Sequence, residues 1–219
     1  MPTDTVMIVG AGPGLGQALA RVFARAGHPI ALFARQRERL DTLVAELRSE
    51  NVRVSGYGAD VTNADELRSA IKQAADELGL PSVLVYNAFV LQADRPSELS
   101  AQALSDVLAV DVLGAVTAVN AVVPLFGDSG GTVLLTGGGL ALQPSAQLAS
   151  LSIGKTALRA YAHVLHEEQA ERGVHVSTVT IAGALQLGDE RFDPNKVAEA
   201  FLGVHGREPH EWVAEVIHS

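Results

Sequence analysis

Close to the N-terminus, Gly10-Ala-Gly-Pro-Gly-Leu-Gly16 follows directly on the apolar, β-branched run Thr5–Val9. Glycines in such a turn leave no Cβ atoms in the way, so backbone can approach a large anion closely. A helix starting there adds its free N–H groups and its partial positive charge. A glycine turn between a strand and a helix is the chemistry that receives the pyrophosphate of a dinucleotide, and Gly10, Gly12, Gly14, Leu15 and Gly16 are the residues expected to hold it. A second apolar run, Pro29–Phe33, is followed by Ala34-Arg35-Gln36-Arg37. A carboxylate at this place would hold both hydroxyls of an adenosine ribose. None is present, and Arg35 suits a 2′-phosphate by charge and by its forked donors. The expected ligand is therefore NADP(H) in preference to NAD(H).

The elements that must position these residues alternate along the chain. Strands are expected at Thr5–Val9, Pro29–Phe33, Val52–Tyr57, Val83–Tyr86, Thr132–Thr136, Val174–Ile181 and within Trp212–His218. Helices are expected at Gly14–Gly27, from Arg37 onward, after Thr62 as N-cap, over about 100–126 and 149–172, and after the Asp193-Pro194 pair. Strand–helix alternation with strands apolar on both faces means a parallel sheet covered on both sides, a doubly wound α/β fold of the Rossmann type. No linker divides the 219 residues, so a single domain spanning 1–219 is expected.

Composition narrows the function classes. With 47% hydrophobic and 19% charged residues the chain is globular. A net charge of -9 argues against nucleic acid and against anionic membrane surfaces as partners. The absence of cysteine excludes disulfides, thiolate zinc sites and thiol redox chemistry. No metal site is expected: His163 and His166 share a helical face that reads as solvated or interfacial, and His205 and His210 have no partner motif. Without a leader or an apolar run of membrane-spanning length, the chain is expected to be cytoplasmic.

At this point the chain resembles the short-chain dehydrogenase/reductase family over nearly its whole length. The family's Thr-Gly-x-x-x-Gly-x-Gly turn is seen as Val9-Gly10 through Gly14-Leu15-Gly16, its Asp-Val pair as Asp60-Val61, and its Asn-Asn-Ala-Gly as Tyr86-Asn87-Ala88-Phe89. The resemblance implies a seven-stranded sheet in the order 3-2-1-4-5-6-7. It also implies cofactor contacts from Asp60, Val61, Asn87, Ala88 and Lys155, with Asp60 on the adenine amino group and Lys155 on the nicotinamide ribose.

The catalytic part of the resemblance departs from the family pattern. The family's Tyr-x-x-x-Lys is Leu151-Ser-Ile-Gly-Lys155 here, its serine falls on Gly138 and its helix asparagine on Asp111. Hydride transfer to a carbonyl leaves an alkoxide that needs a proton and hydrogen-bond donors, and leucine and glycine supply neither. Ser150 and Ser152 flank the tyrosine position but point elsewhere on a helix, toward capping or packing. Thr136 and Tyr86 are the remaining hydroxyls of the motif set. Asp111 is expected to pair with Lys155 and hold its ammonium charged.

Three functions fit: an NADP(H)-dependent oxidoreductase acting on a small carbonyl or alcohol with an altered proton donor, a non-redox enzyme in the same cleft, or a dinucleotide-binding scaffold or sensor. Two apolar helices, around 107–123 and 151–165, correspond to elements that pack between subunits in the resembled family, so a homodimer or homotetramer is expected. Only Ala184–Phe192 separates the sixth strand from the next helix, which implies a reduced lid over the cleft.

Overall fold

The computed structural model describes residues 4–128 and 130–219. Seven strands, β1 (Thr5–Val9), β2 (Ile30–Ala34), β3 (Val54–Gly58), β4 (Pro81–Tyr86), β5 (Gly131–Gly138), β6 (Val174–Ile181) and β7 (Glu215–His218), form one sheet. Its order is β3-β2-β1-β4-β5-β6-β7, and every neighbouring pair is parallel. The helices are α1 (Leu15–Arg25), α2 (Arg37–Ser49), α3 (Ala64–Leu78), α4 (Ala101–Leu108), α5 (Gly114–Val122), α6 (Ala149–Ala170) and α7 (Pro194–His205).

Side chains alternate across a strand, so each strand feeds two cores. Val6, Ile8, Ile30, Leu32, Val83 and Val85 face one side, with Leu19, Phe23, Leu47 and Phe201 of α1, α2 and α7. Met7, Val9, Ala31, Phe33, Leu84 and Tyr86 face the other, with Leu67, Ala115, Val119 and Leu158 of α3, α5 and α6. Burial on both faces is why these strands read as unbroken apolar runs.

The strand order reverses beside β1, whose neighbours are β2 and β4. A crevice opens at such a switch point beyond the strand C-termini, and Val9 and Tyr86 are aligned there in register. The turns carrying Gly10 and Asn87 therefore leave the sheet side by side.

Several local expectations are corrected. The helix over 100–126 is divided: a π turn, Ala109–Leu113, separates α4 from α5, and a 3-10 turn, Val123–Leu125, ends it at Pro124. The wider turn carries Asp111 inward to complete burial, and Gly114 then passes so close to Tyr86 that an added Cβ would lie 2.3 Å from the phenol oxygen. The cap of α3 is Asn63, which accepts the Glu66 N–H at 3.2 Å, because Thr62 is held by the Asp60 carboxylate. Asp94, which reads as a solvated charge, instead caps α6 from outside by accepting the N–H and hydroxyl of Ser150. The stretch Ala101–Leu125 is long and apolar enough to cross a membrane by length and composition alone, contrary to the sequence reading; here it packs on α3, α6 and the sheet.

Candidate dinucleotide site

A cleft of about 960 Å³ lies over the switch point. It is lined by the glycine turn Gly10–Gly16, by Phe33–Gln36, by Ala59–Val61, by Asn87–Leu91 and by Thr136–Leu140. Every residue expected to contact a cofactor lines it: Gly10, Gly12, Gly14, Leu15, Gly16, Arg35, Asp60, Val61, Asn87, Ala88 and Lys155.

The glycine turn is built for contact between backbones. Gly10 has φ +89°, and a Cβ there would sit 2.4 Å from the Ala88 backbone nitrogen. Gly14, also at φ +89°, precedes α1 with no side-chain cap, and the first turn of that helix holds no acidic residue. The Gln17 N–H is taken by the Gly12 carbonyl at 3.0 Å, and no side-chain oxygen caps the N–H groups that open the helix beside the cleft. Asn87 braces this turn rather than reaching outward: its Nδ2 donates to the Gly10 carbonyl at 3.0 Å, and its Oδ1 accepts the Thr136 hydroxyl at 3.1 Å.

At one end of the cleft lie Arg35, Gln36, Arg39, Asp60 and Val61. The Arg35 side chain is 69% exposed and lies 4.0 Å from Asp60. Asp60 is held below its ordinary pKa chiefly by the Thr62 N–H, with Arg35 adding to the effect. Arg39 has no ion pair among the described residues and adds a second guanidinium that the sequence reading missed; its four-residue spacing from Arg35 was the available signal.

The other end is apolar: Phe89, Val90, Leu91, Leu140, Leu148 and Leu151 line it, with Leu185 and Leu187 on the loop between β6 and α7. That loop is short and folded on itself, with Asp193 accepting the Gly188 N–H and capping α7. Leu151 is buried one helical turn before Lys155, on the same face of α6. Gly138 runs alongside the lysine stem; a Cβ there would lie 3.7 Å from Lys155 Cγ, an ordinary contact.

Lys155 is 6% exposed. Its Nζ donates to the Thr136 carbonyl at 2.8 Å and lies 5.0 Å beneath the Phe89 ring. Burial pulls its pKa down to about 8, opposed by the charge of Asp111. Asp111 is fully buried; its Oδ1 accepts the Val90 N–H at 2.8 Å and its Oδ2 has no partner. Burial raises this carboxyl to about 6, again opposed by the other charge. The expected Asp111–Lys155 ion pair does not form as a contact, because each group is turned to a different backbone partner. The two act on one another through space.

The other hydroxyls are committed. Tyr86 is fully buried, donates to the Val110 carbonyl, and has its pKa raised by burial. Ser150 donates to Asp94, and Ser152 to the Leu148 carbonyl. His163 approaches Glu215 at 3.7 Å, while His166 bonds the Val176 carbonyl, and no metal-binding cluster occurs among the described residues.

A doubly wound parallel sheet with a glycine turn at its switch point defines a nucleotide-binding protein of the Rossmann type. Residues 4–185 match the short chain dehydrogenase family model, and the chain belongs to that family. It is 28% identical over 196 residues to a D-threitol dehydrogenase of Mycolicibacterium smegmatis, covering 85% of this chain and 73% of that protein. An alcohol dehydrogenase of the archaeon Thermococcus sibiricus, solved with 5-hydroxy-NADP, superposes with TM-score 0.85 at 26% identity, covering 97% of this chain and 95% of that one. An actinorhodin polyketide ketoreductase solved with NADPH superposes with TM-score 0.90 at 21% identity, covering 98% and 95%. It shares the fold.

Proposed function

We propose that this protein is an NADP(H)-binding oxidoreductase for a small apolar carbonyl or alcohol, with a proton-transfer apparatus unlike the family's tyrosine and serine. The observation that carries the reading is the cleft at the switch point: a helix start without a side-chain cap at one wall, and Arg35 directly after β2 with Arg39 on α2, the position after β2 being free of a carboxylate. The cradle fits a dinucleotide, since the Cβ-free surface of Gly12 and Gly14 leaves space open where a pyrophosphate would approach. In this reading Gly12–Gly16 hold the pyrophosphate, Arg35 and Arg39 the 2′-phosphate, Asp60 and Val61 the adenine, and Lys155 the nicotinamide ribose. When bound, the dinucleotide supplies or accepts hydride. The chain's own residues hold it, exclude water through the leucines at the apolar end, and carry the proton. The 5-hydroxy-NADP held by the Thermococcus alcohol dehydrogenase supports the phosphate reading.

A second reading, a dinucleotide-binding scaffold without turnover, draws on Leu151 and Gly138. Calorimetric titration with NADPH, NADP, NADH and NAD, followed by a screen of apolar carbonyls and alcohols, separates the two. NADPH should bind tighter than NADH, and Arg35→Glu with Arg39→Glu should remove that preference. Two charge-assisted contacts correspond to roughly 10–100-fold in affinity or more. No binding of any dinucleotide would end the proposal.

We also infer a cytoplasmic location, and a homodimer or homotetramer because Leu113, Ile153 and Val164 stand 60%, 43% and 64% exposed. The last two are eleven residues apart on α6, hence on one face. Light scattering that finds only the 22.9 kDa species would refute the oligomer.

A further inference from the structure

Among the described residues, the apolar end of the cleft holds one group with a proton to give. Thr136 is bonded to Asn87, Ser150 to Asp94, Ser152 to Leu148, and Tyr86 is sealed against Val110. Gly138 and Leu151 contribute no donor. Lys155 remains, with one N–H on the Thr136 carbonyl and no other hydrogen-bond acceptor among the described residues. Its stem is flanked by the bare backbone of Gly138, and the side chain one turn earlier on the same face, Leu151, ends in methyl groups. Nothing polar therefore stands between the ammonium and a ligand oxygen seated against Leu151 and Gly138.

We propose that Lys155 Nζ is itself the proton donor and acceptor of this cleft, and not an accessory to a phenol. The proposal rests on the oxidoreductase reading above. In the reductive direction an Nζ–H bond breaks and its electron pair stays on nitrogen. The proton joins the oxygen anion left on a carbonyl that has accepted hydride from a reduced nicotinamide dinucleotide. The alcohol is then complete and the amine neutral. Oxidation reverses each transfer.

The surroundings suit that task. The groups facing Nζ are the Thr136 carbonyl from β5, the Phe89 ring after β4, and, through space, the Asp111 carboxyl in the π turn. Burial destabilises the ammonium, Asp111 restores part of it, and the balance leaves a group pulled down to about 8. A proton carrier works best when its pKa lies near the operating pH, whereas an ordinary lysine near 10.4 does not release protons readily.

The chain has only three lysines, Lys72, Lys155 and Lys196, so each can be followed separately. Competitive acetylation of the cofactor-free protein with acetic anhydride, read by peptide mass spectrometry across pH, should show Lys155 labelling with an inflection near 8. Asp111→Asn should move that inflection lower, because the anion that favours the ammonium is gone. Lys155→Arg keeps charge and donors but cannot release a proton. It should bind NADPH within about threefold of wild type by calorimetry, yet reduce 9,10-phenanthrenequinone about 10²–10⁴-fold more slowly. For a residue that only held the cofactor, the rate would change no more than the binding does. An inflection at the ordinary lysine value, no acetylation of Lys155 at any pH, or equal rates for wild type and Lys155→Arg, zero included, would overturn the proposal. If no dinucleotide binds, the oxidoreductase reading fails while the acetylation profile still stands. If dinucleotide binds and Lys155 titrates as an ordinary lysine, only the present proposal fails.

Discussion

Replacing Asp111 by asparagine should make the protein more stable at neutral pH. The side chain is fully buried, one oxygen accepts a single N–H from Val90, and the other has no partner. Burial raises its pKa from 3.8 to about 6, in spite of the pull of Lys155. One pKa unit corresponds to about 1.4 kcal/mol, so holding the ionised carboxylate at pH 7 costs the fold about 3 kcal/mol. Asparagine keeps an oxygen for Val90 and carries no charge. The pull of Lys155 is already contained in that figure, and burying the amide costs on the order of 1 kcal/mol. The expected net gain at pH 7 is about 1–2 kcal/mol. The pH dependence is the sharper part. A group whose folded pKa is raised contributes its stability below its unfolded pKa and loses it as pH rises through the folded value. Near pH 4 and below, the wild-type carboxyl is largely protonated when folded, and the variant should be the less stable by about 1 kcal/mol, the amide cost alone. The balance should shift toward the variant between about pH 4 and 6 and level off above that. Urea unfolding followed by circular dichroism at several pH values measures it. A gap that is constant with pH, or a variant that loses ground to wild type as pH rises, would refute the reasoning.

Two further outcomes follow from the cleft. Gly10→Ala places a Cβ 2.4 Å from the Ala88 nitrogen at φ +89°, whereas Gly12→Ala meets nothing within 4 Å; the first should destabilise by about 3 kcal/mol or more and the second by under about 1 kcal/mol in thermal unfolding. Gly138→Ser has room beside the Lys155 stem at 3.7 Å, so stability should change by no more than about 0.5 kcal/mol. Combined with Leu151→Tyr, it should move the inflection of phenanthrenequinone reduction away from the value near 8 set by Lys155. An inflection that stays in place would show that the added phenol takes no part.

The fold was legible because its signals are local. Apolar runs of strand length alternate with helical stretches and are punctuated by glycine, and this alternation specifies the parallel sheet and places the glycine turn. The cofactor end was legible for the same reason: Gly10, Arg35 and Asn87 each follow directly on a strand, Asp60 comes two residues after one, and the switch point collects strand C-termini. Long-range contacts were not legible. Nothing in the sequence near Asp94 announces that its carboxylate caps a helix more than fifty residues later. A π turn in the middle of an apolar helix has no composition of its own, so the inward placement of Asp111 was out of reach. An ion pair was the natural expectation for an aspartate near a lysine. The Val90 N–H and the Thr136 carbonyl, backbone groups contributed by other elements, took the two side chains in different directions.

That separation bears on why both charges persist. Lys155 is drawn down from 10.5 to about 8 and Asp111 is pushed up to about 6, so at pH 7 each charged form is held against its own burial. Together the two shifts stand for several kcal/mol, on the order of the whole stability margin of a domain. A contact between them would recover part of that cost, and apolar replacements would recover more. Other polar groups around the cleft are satisfied: Asn87 by Gly10 and Thr136, Ser150 by Asp94. Stability alone therefore gives no reason for two unpaired ionisable groups behind Leu151. Perturbed groups concentrated in one cleft are what proton chemistry requires. With the phenol absent at Leu151, Lys155 is the group that meets the ligand, and Asp111 lies behind it to set how firmly the proton is held.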